Sequence, residues 1–412
     1  MLVLPFVALF ASVATATVGA APSASQPRHK LVIGAILDLA SGWTSLGHAS
    51  RVTLRLAASD ANAALARDGA PLRVRLRIVD AKGKPALARR QLRRLAASGV
   101  RVVVGPQGSS EVAAVRRAAS RLGVVLISQG STAHSLAIAG DNVLRFVPDD
   151  VREGEAVVAL LRHARIDAIV PVWRKDAGNA GLAKSVRRQF RAVGGKVAAG
   201  VPYGENTTNF DGVASSISNQ AAALRSAGAR RVGIYLAAFD EAVDLFHAAQ
   251  VHPTLRIPWY GSDGVALSTR LVGDGPAAAF ADSVGYPNPT VGLSDAVRRR
   301  DRPLIMRARK RLGRAPDALA LTAYDALRIA VDASRRTGAN RGARLRRAII
   351  GAANTHVGVT GRMKLNRAGD RAFGNFDFWS VCRKGTGYGW TRTFEYAARR
   401  PGSGHTLTRA RC

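Results

Sequence analysis

The chain has 412 residues, 47% of them hydrophobic, and a mean hydropathy of +0.01, which fits a soluble globular protein of two ordinary α/β domains better than one oversized domain. Its formal charge is +33 and its sequence pI about 11.6, with arginine far in excess of lysine. Positive charge spread this widely, with one dense run at 298–314 (RRRDRPLIMRARKRLGR), favours contact with membranes, cell-wall polymers or nucleic acid without choosing among them, and a solvated basic surface is the plainer reading.

The first stretch, MLVLPFVALFASVATATVGA, carries no charge and runs into small residues around Gly19, Ala20 and Ala21, followed by Pro22 and a Ser-containing linker to Lys30. It resembles a secretory signal over residues 1–21, with 22–29 as linker, and implies an extracellular or periplasmic destination. The missing Lys or Arg at its start departs from that pattern, and an uncleaved anchor is the alternative, because the run approaches the shortest bilayer-spanning length. No later window is long and apolar enough to span, and no Cys near the cleavage region offers a lipid attachment point.

From Leu31 onward, short β-rich runs alternate with helical periods. Leu31–Leu37 reads as a strand and Gly47–Ala66 as a helix. Leu72, Val74, Leu76 and Ile78 alternate with Arg73, Arg75 and Arg77, the period of a strand with one wet face at or near a sheet edge. A helix with Ala88, Leu92, Leu95 and Ala96 on one face follows. Val102–Val104 and Val124–Ile127 are then short buried strands flanking a helix that begins near Ser109. Strand, helix, strand at this spacing means a parallel sheet with right-handed crossovers.

After Asp149 and Asp150 the pattern restarts, with strands expected at Ile166–Trp173, Val197–Tyr203, Val232–Leu236 and Ile257–Tyr260 and helices between them. The fold class is therefore α/β, two doubly wound parallel-sheet units in tandem. The remainder is helix-rich, with Leu319, Ala323, Ala326, Leu327 and Ala330 on one face. It ends in β-like runs near Met363–Leu365 and Phe376–Val381, GTGYG at 385–389 reads as a turn, and the tail after Arg399 reads as loop.

In open parallel sheets, ligands sit beyond the carboxyl ends of the strands. The stretch GPQGSSE at 105–111 lies at such an end and opens a helix, a natural anion site for a phosphate, an oxyanion or a carboxylate. A P-loop needs Gly-Lys-Ser/Thr where this chain has Gly108, Ser109 and Ser110, and a GxGxxG fingerprint after a strand is absent. The nucleophile elbow G-x-S-x-G is missing too, so no enzyme machinery is indicated. His247 and His252 lack the spacing of a zinc helix, and no cofactor or metal is called for.

What remains is a binding constellation. Ser109 and Ser110 at one strand end, and Ser131 and Thr132 in ISQGST at the next, offer hydroxyl and backbone donors suited to a carboxylate, although each alone reads equally as a helix or turn cap. In WYGSDG at 259–264, Asp263 follows a strand and could accept from an ammonium, or be a turn Asp. Cys382 and Cys412 permit one disulfide in an exported chain, and two free thiols are the alternative.

These residues resemble the extracellular solute-binding proteins of the leucine/isoleucine/valine-binding type, with the type I periplasmic-binding-protein fold. The resemblance rests on GAILDLASGWTSLG, VVVGPQGSS, GVVLISQGST, VLRFVPDD, RKDAGNAG, NTTNF, WYGSDG, RLGRAPDALALTAYDAL and GVTGRMKLNRAGD, in that order along the chain. It implies a ligand α-carboxylate held at Ser109, Ser131 and Thr132 and an ammonium held at Asp263. In RKDAGNAG the family usually has an aromatic followed by Gly, whereas this chain has Gly178 and Asn179; Trp43, Trp173 or Phe239 is the candidate replacement wall.

The resemblance further implies a monomer of two lobes, 30–147 with about 288–358 and 148–287 with about 359–398, plus a tail at 399–412. Three hinge crossings are expected near Val147–Asp149, Tyr286–Pro289 and Val357–Thr360. Ligand-driven closure would be read by the permease of an ATP-driven (ABC) importer. The alternatives are a sensory domain on the same fold and a basic protein that binds envelope polymers or nucleic acid.

Overall fold

The computed structural model describes residues 2, 29–40, 43–338, 341–398, 404–410 and 412. The signal and linker segment falls outside the described residues, apart from Leu2 and His29. Lobe one opens with β1 (His29–Leu37), α1 (Thr44–Arg67), β2 (Leu72–Asp80), α2 (Pro85–Ala97), β3 (Val102–Val104), α3 (Ser109–Leu122), β4 (Val125–Ser128) and β5 (Val143–Arg145). The strands pair in parallel in the order β2-β1-β3-β4-β5. β2 lies at the edge, and Arg73, Arg75 and Arg77 on its wet face are exposed. β3 and β4 are apolar on both faces because helices cover both: α2 and α3 pack on one side and α1 on the other.

Lobe two follows with α4 (Asp150–His163), β6 (Ala168–Arg174), α5 (Ala177–Ala192), β7 (Lys196–Val197), β8 (Val201–Tyr203), α6 (Asp211–Ser226), β9 (Val232–Ala237), α7 (Ala242–Ala249), β10 (Trp259–Tyr260), α8 (Thr269–Gly273) and α9 (Gly275–Val284). A second parallel sheet runs β10-β9-β6-β7, with β8 also paired to β6. The single strand expected over 197–203 is broken in two because Gly200 turns the chain at φ +91°. Phe246 packs its edge against Trp259 and Tyr286, centring the core of this lobe.

The rest of the chain comprises β11 (Asn288–Val291), α10 (Asp295–Arg300), α11 (Arg302–Leu312), α12 (Ala318–Thr337), α13 (Gly342–Thr355), β12 (Val357–Gly358), β13 (Gly361–Arg362), β14 (Phe376–Lys384), β15 (Gly387–Ala397) and β16 (His405–Thr408). α12 and α13 return to lobe one and complete the helical layer beside α1, where the Thr53 hydroxyl donates to the Ala320 carbonyl at 2.6 Å. β11, β14, β15 and β16 form an antiparallel sheet, and Phe376, Phe378 and Tyr396 enter the core of lobe two.

The chain passes between lobes after β5, along β11, and once more near the end. The third crossing is not at Val357–Thr360. The Val359 and Thr360 N–H groups donate to the buried Asp325 carboxylate of α12 at 2.9 Å, and Met363 and Leu365 sit in the core of lobe one. Asp370 pairs with Arg145 of β5, so lobe one keeps the chain to about residue 371 and the crossing is the stretch leading to Phe376.

The loop reading of the tail also needs correction. Thr406, Leu407 and Thr408 pair with Tyr396, Glu395 and Phe394 as an added edge strand, and Cys412 is disulfide-bonded to Cys382 of β14. Reduction of this bridge, whose cysteines are 30 residues apart, should cost on the order of 3 kcal/mol. A denaturant midpoint unchanged by reducing agent would refute that. Among the described residues no helix is long and apolar enough to cross a membrane.

Candidate functional site

The carboxyl ends of the two parallel sheets face each other across the interlobe cleft. On lobe one, the turn after β3 requires glycine: Gly105 has φ +93°, and a Cβ there would lie 2.1 Å from the Ile36 carbonyl oxygen. This tight approach carries Gln107 to the start of α1, where its amide donates to the Trp43 carbonyl at 2.7 Å and its Oε1 accepts from the Asp38 N–H at 3.3 Å. Asp38 in turn accepts from the Trp43 N–H at 2.7 Å, which places the indole in the cleft.

At the start of α3, the Ser109 and Ser131 hydroxyls are hydrogen-bonded at 3.0 Å, and Ser109 Oγ accepts from the Ala133 N–H at 3.2 Å. The helix also carries its own acid: Glu111 is buried, accepts from the Gly108 N–H at 3.2 Å, and is pushed up to about 8 by burial and then by the nearby Asp38. Ser110 plays a different part. Its hydroxyl crosses the cleft and accepts from the Ala177 N–H at 3.2 Å, which caps α5 of lobe two.

On lobe two, Asp176 caps α5 by accepting from the Gly178 and Asn179 N–H groups at 2.9 and 3.0 Å. Gly178 faces Ser109 closely: a Cβ at that position would sit 3.4 Å from Ser109 Oγ, in ordinary van der Waals contact, so the lobes meet here without requiring glycine. Asp263 follows β10, and its N–H donates to the Glu153 carboxylate at 3.1 Å. Glu153 and Asp150 belong to the first turn of α4, so three acids gather at one buried point with no guanidinium or ammonium ion-paired to them among the described residues. Burial pushes Asp263 up to about 8 and Asp150 to about 7, and raises Glu153 well above the carboxylate range; repulsion from Asp150 adds to the other two, while Asp150 is itself raised further by Asp149. The Thr132 side-chain hydrogen bond, the attraction of the Arg145 guanidinium and the His134 N–H partly offset the shift of Asp150. The Tyr235 hydroxyl, fully buried beside these acids, has no partner among the described residues.

Trp43, Ser109, Gly130, Thr132, Gly178, Asn179, Leu182, Phe239 and Asp263 enclose a cavity of about 10 Å³. That is room for about one water, so the lobes are closed on each other. Outside it the cleft widens to about 520 Å³, lined by both signs of charge, among them Lys82, Lys84, Arg174, Asp176, Asp240 and Arg270.

Trp43 and Phe239 meet across the cleft with ring centroids 4.9 Å apart, and the Arg174 guanidinium lies 5.2 Å over the Phe239 ring. Trp173 does not join them. Side chains alternate along β6, so Arg174 projects into the cleft while Trp173 turns to the other face and packs under Arg187, at 5.3 Å.

Several residues of the candidate site were not marked by the local sequence. Asp150 and Glu153 stood in the quoted VPDD segment and just after it, but nothing local marked them as facing Asp263. Asp240 stands among the strand-end residues 237–240, where a ligand is expected, but its partners were not legible: its carboxylate accepts from the Thr44 and Ser45 hydroxyls of lobe one at 3.4 and 3.3 Å and from Ser268 of lobe two. It also accepts from the Ser45 N–H, and so caps α1, whose own N-cap residue Trp43 makes no side-chain capping bond.

This geometry agrees with what the chain resembles. The family model for the receptor family ligand binding region matches residues 49–384. The uncharacterised protein MJ1266 of Methanocaldococcus jannaschii is 24% identical over 372 residues, covering 86% of this chain and 87% of that protein. Among solved structures, the branched-chain amino acid transporter substrate-binding protein LivJ of Streptococcus pneumoniae in complex with isoleucine aligns with a TM-score of 0.72 at 19% identity, over 92% of this chain and 100% of that one. A solute-binding protein of an ABC transporter from R. palustris in complex with benzoate aligns with a TM-score of 0.71 at 17% identity, over 93% and 99%. With its two parallel-sheet lobes, its three crossings and a family model spanning most of its length, the chain belongs to the receptor ligand-binding-region family and has the type I periplasmic-binding-protein fold.

Proposed function

We propose that the protein is an exported solute-binding protein that captures a small amine-bearing carboxylate, an amino acid or a close relative, between its lobes and delivers it to the permease of an ABC importer. One observation carries this reading: Asp263 is buried opposite Ser109 and Thr132 in the interlobe cavity, without a cation of the chain's own. A buried acid of this kind is stabilised when a ligand ammonium supplies the missing charge, and the hydroxyls of lobe one suit the ligand's other end. Closure, with no bond made or broken, is the mechanism: the ligand favours a form in which both walls touch it, with the lobes further apart than here, where the cavity has room for about one water. The isoleucine and benzoate complexes of the structural neighbours both hold carboxylates, in keeping with a carboxylate subsite on lobe one.

Thermal-shift screening of the protein against amino acids, amides and small carboxylates tests the proposal. A hit should be weakened about 10- to 100-fold by Asp263→Ala and also by Thr132→Ala, the loss of one charge-assisted hydrogen bond each. Unchanged affinity in both variants would remove the assigned roles, and no hit across amines and carboxylates would remove the proposal.

A further inference from the structure

The outer surface of α2 and α3 carries a groove of about 550 Å³ in which five arginines converge: Arg89 and Arg93 from α2, Arg116, Arg117 and Arg121 from α3. Alanines line the space between them, no acid lines it, and none of the five borders the interlobe cleft. All but Arg116 are exposed. None of the five holds a carboxylate among the described residues, whereas Arg152, Arg270, Arg307 and Arg335 each do. Like charges four residues apart on a helix, as at Arg89 with Arg93 and Arg117 with Arg121, repel by a few tenths of a kcal/mol per pair. The helix dipole offsets this only near a C-terminus, which accounts for Arg121 and leaves Arg89, Arg93, Arg116 and Arg117 unexplained.

We propose that this groove binds a phosphodiester polymer without bases, such as an alditol-phosphate chain. Guanidinium forks match phosphate oxygens in pairs, and arginines four residues apart stand about 6 Å apart along a helix axis, so two such files meet successive charges of an extended chain. Nucleic acid fits less well. The groove has no aromatic ring for a base to stack on, and a duplex is too wide for the space between packed helices, about 8–10 Å axis to axis. A bilayer presents a plane to a concave site that has no Trp or Phe at its rim.

The test is binding of poly(glycerol phosphate) to the full chain across a salt series. If each of the five arginines neutralised a phosphate of its own, the slope of log K against log salt would be about −3.5, which is its upper bound in magnitude. Arg89→Gln, Arg93→Gln and Arg117→Gln together should reduce the slope by up to about 2 units and weaken binding at least tenfold at low salt, while the cleft ligand's thermal shift stays as it was. A matched triple on α11, Arg302→Gln, Arg309→Gln and Arg311→Gln, removes the same charge and should have a much smaller effect. Circular dichroism melting confirms that both triples fold. Equal losses from the two triples would assign the binding to diffuse charge and overturn the proposal. No binding at low salt would also overturn it, as would tighter binding of oligodeoxythymidylate or of anionic phospholipid vesicles of matched charge.

Discussion

Replacing Asp370 with alanine should destabilise the protein by about 3–5 kcal/mol, because it strands a fully buried guanidinium. Arg145 Nε donates to Asp370 Oδ1 at 2.7 Å and Nη2 to Oδ2 at 2.5 Å, with both side chains almost wholly excluded from water. The third nitrogen, Nη1, donates to the Ala133 carbonyl at 2.6 Å and more weakly to that of Ser131. One side chain therefore ties the Ser131–Ala133 loop of the candidate site to the segment that leads into the third interlobe crossing. Removing the carboxylate should loosen both, lowering the unfolding midpoint and weakening any cleft ligand together. The double variant Arg145→Met with Asp370→Leu should recover most of the stability, since a buried pair replaced by apolar residues of similar size is often neutral. It should not recover ligand affinity, because the loop carbonyls lose their donor. A single variant that melts within 1 kcal/mol of the parent, on the order of an exposed pair, would show that the guanidinium finds other partners.

The acids behind Asp263 predict an unusual pH dependence. A carboxyl raised by burial stays protonated in the fold over a range where the unfolded chain has already ionised. For Asp263 that range runs from its ordinary 3.8 to about 8, and for Asp150 from 3.8 to about 7. The unfolded chain then binds fewer protons, so the stability these groups contribute is fully present below about pH 4 and is lost as pH rises through 7 to 8. Each proton involved sets a slope of about 1.4 kcal/mol per pH unit. Asp263→Asn should remove one such slope between pH 5 and 8, read from denaturant midpoints across that range as an order-of-magnitude window. A cationic ligand should reverse the trend, binding more tightly as pH rises and releasing protons as it does, which titration calorimetry in buffers of different ionisation heat would detect. Affinity that falls between pH 6 and 8, roughly the span of the raised carboxyls, would mean the ligand is not held through these acids.

Much of the architecture was legible in the residues. The strand and helix periods and the edge position of the Arg-striped β2 follow from local pattern, because a period of 2 or 3.6 residues is set by the immediate backbone, whereas of GTGYG only Gly385 and Thr386 form the turn and Gly387–Gly389 open β15 by pairing with β14. The hydroxyls at Ser109 and Ser131 do meet, because parallel strands β3 and β4 are neighbours and their ends coincide. The choice between Trp173 and Phe239 was not legible, since a shift of one residue decides which face a strand end presents. The third crossing was misplaced because Asp325 holds Val359 and Thr360 on lobe one from 34 and 35 residues away. The tail strand was hidden because His405–Thr408 is too short to show a period until Phe394–Ala397 pairs with it.

Composition and local pattern by themselves determined an α/β chain with two parallel sheets, and placed donors at the strand ends where a ligand would bind. Only the tertiary structure decided that Asp263 is joined by Glu153 from 110 residues away, and that Asp240 reaches Ser45 over 195 residues to cap a helix of the other lobe. It also decided that the α3 helix start in GPQGSSE supplies its own acid through Glu111. The physical reason is range: backbone periodicity acts over a few residues, whereas the protonation and hydrogen bonding of a buried group depend on whatever the fold brings within a few ångströms of it.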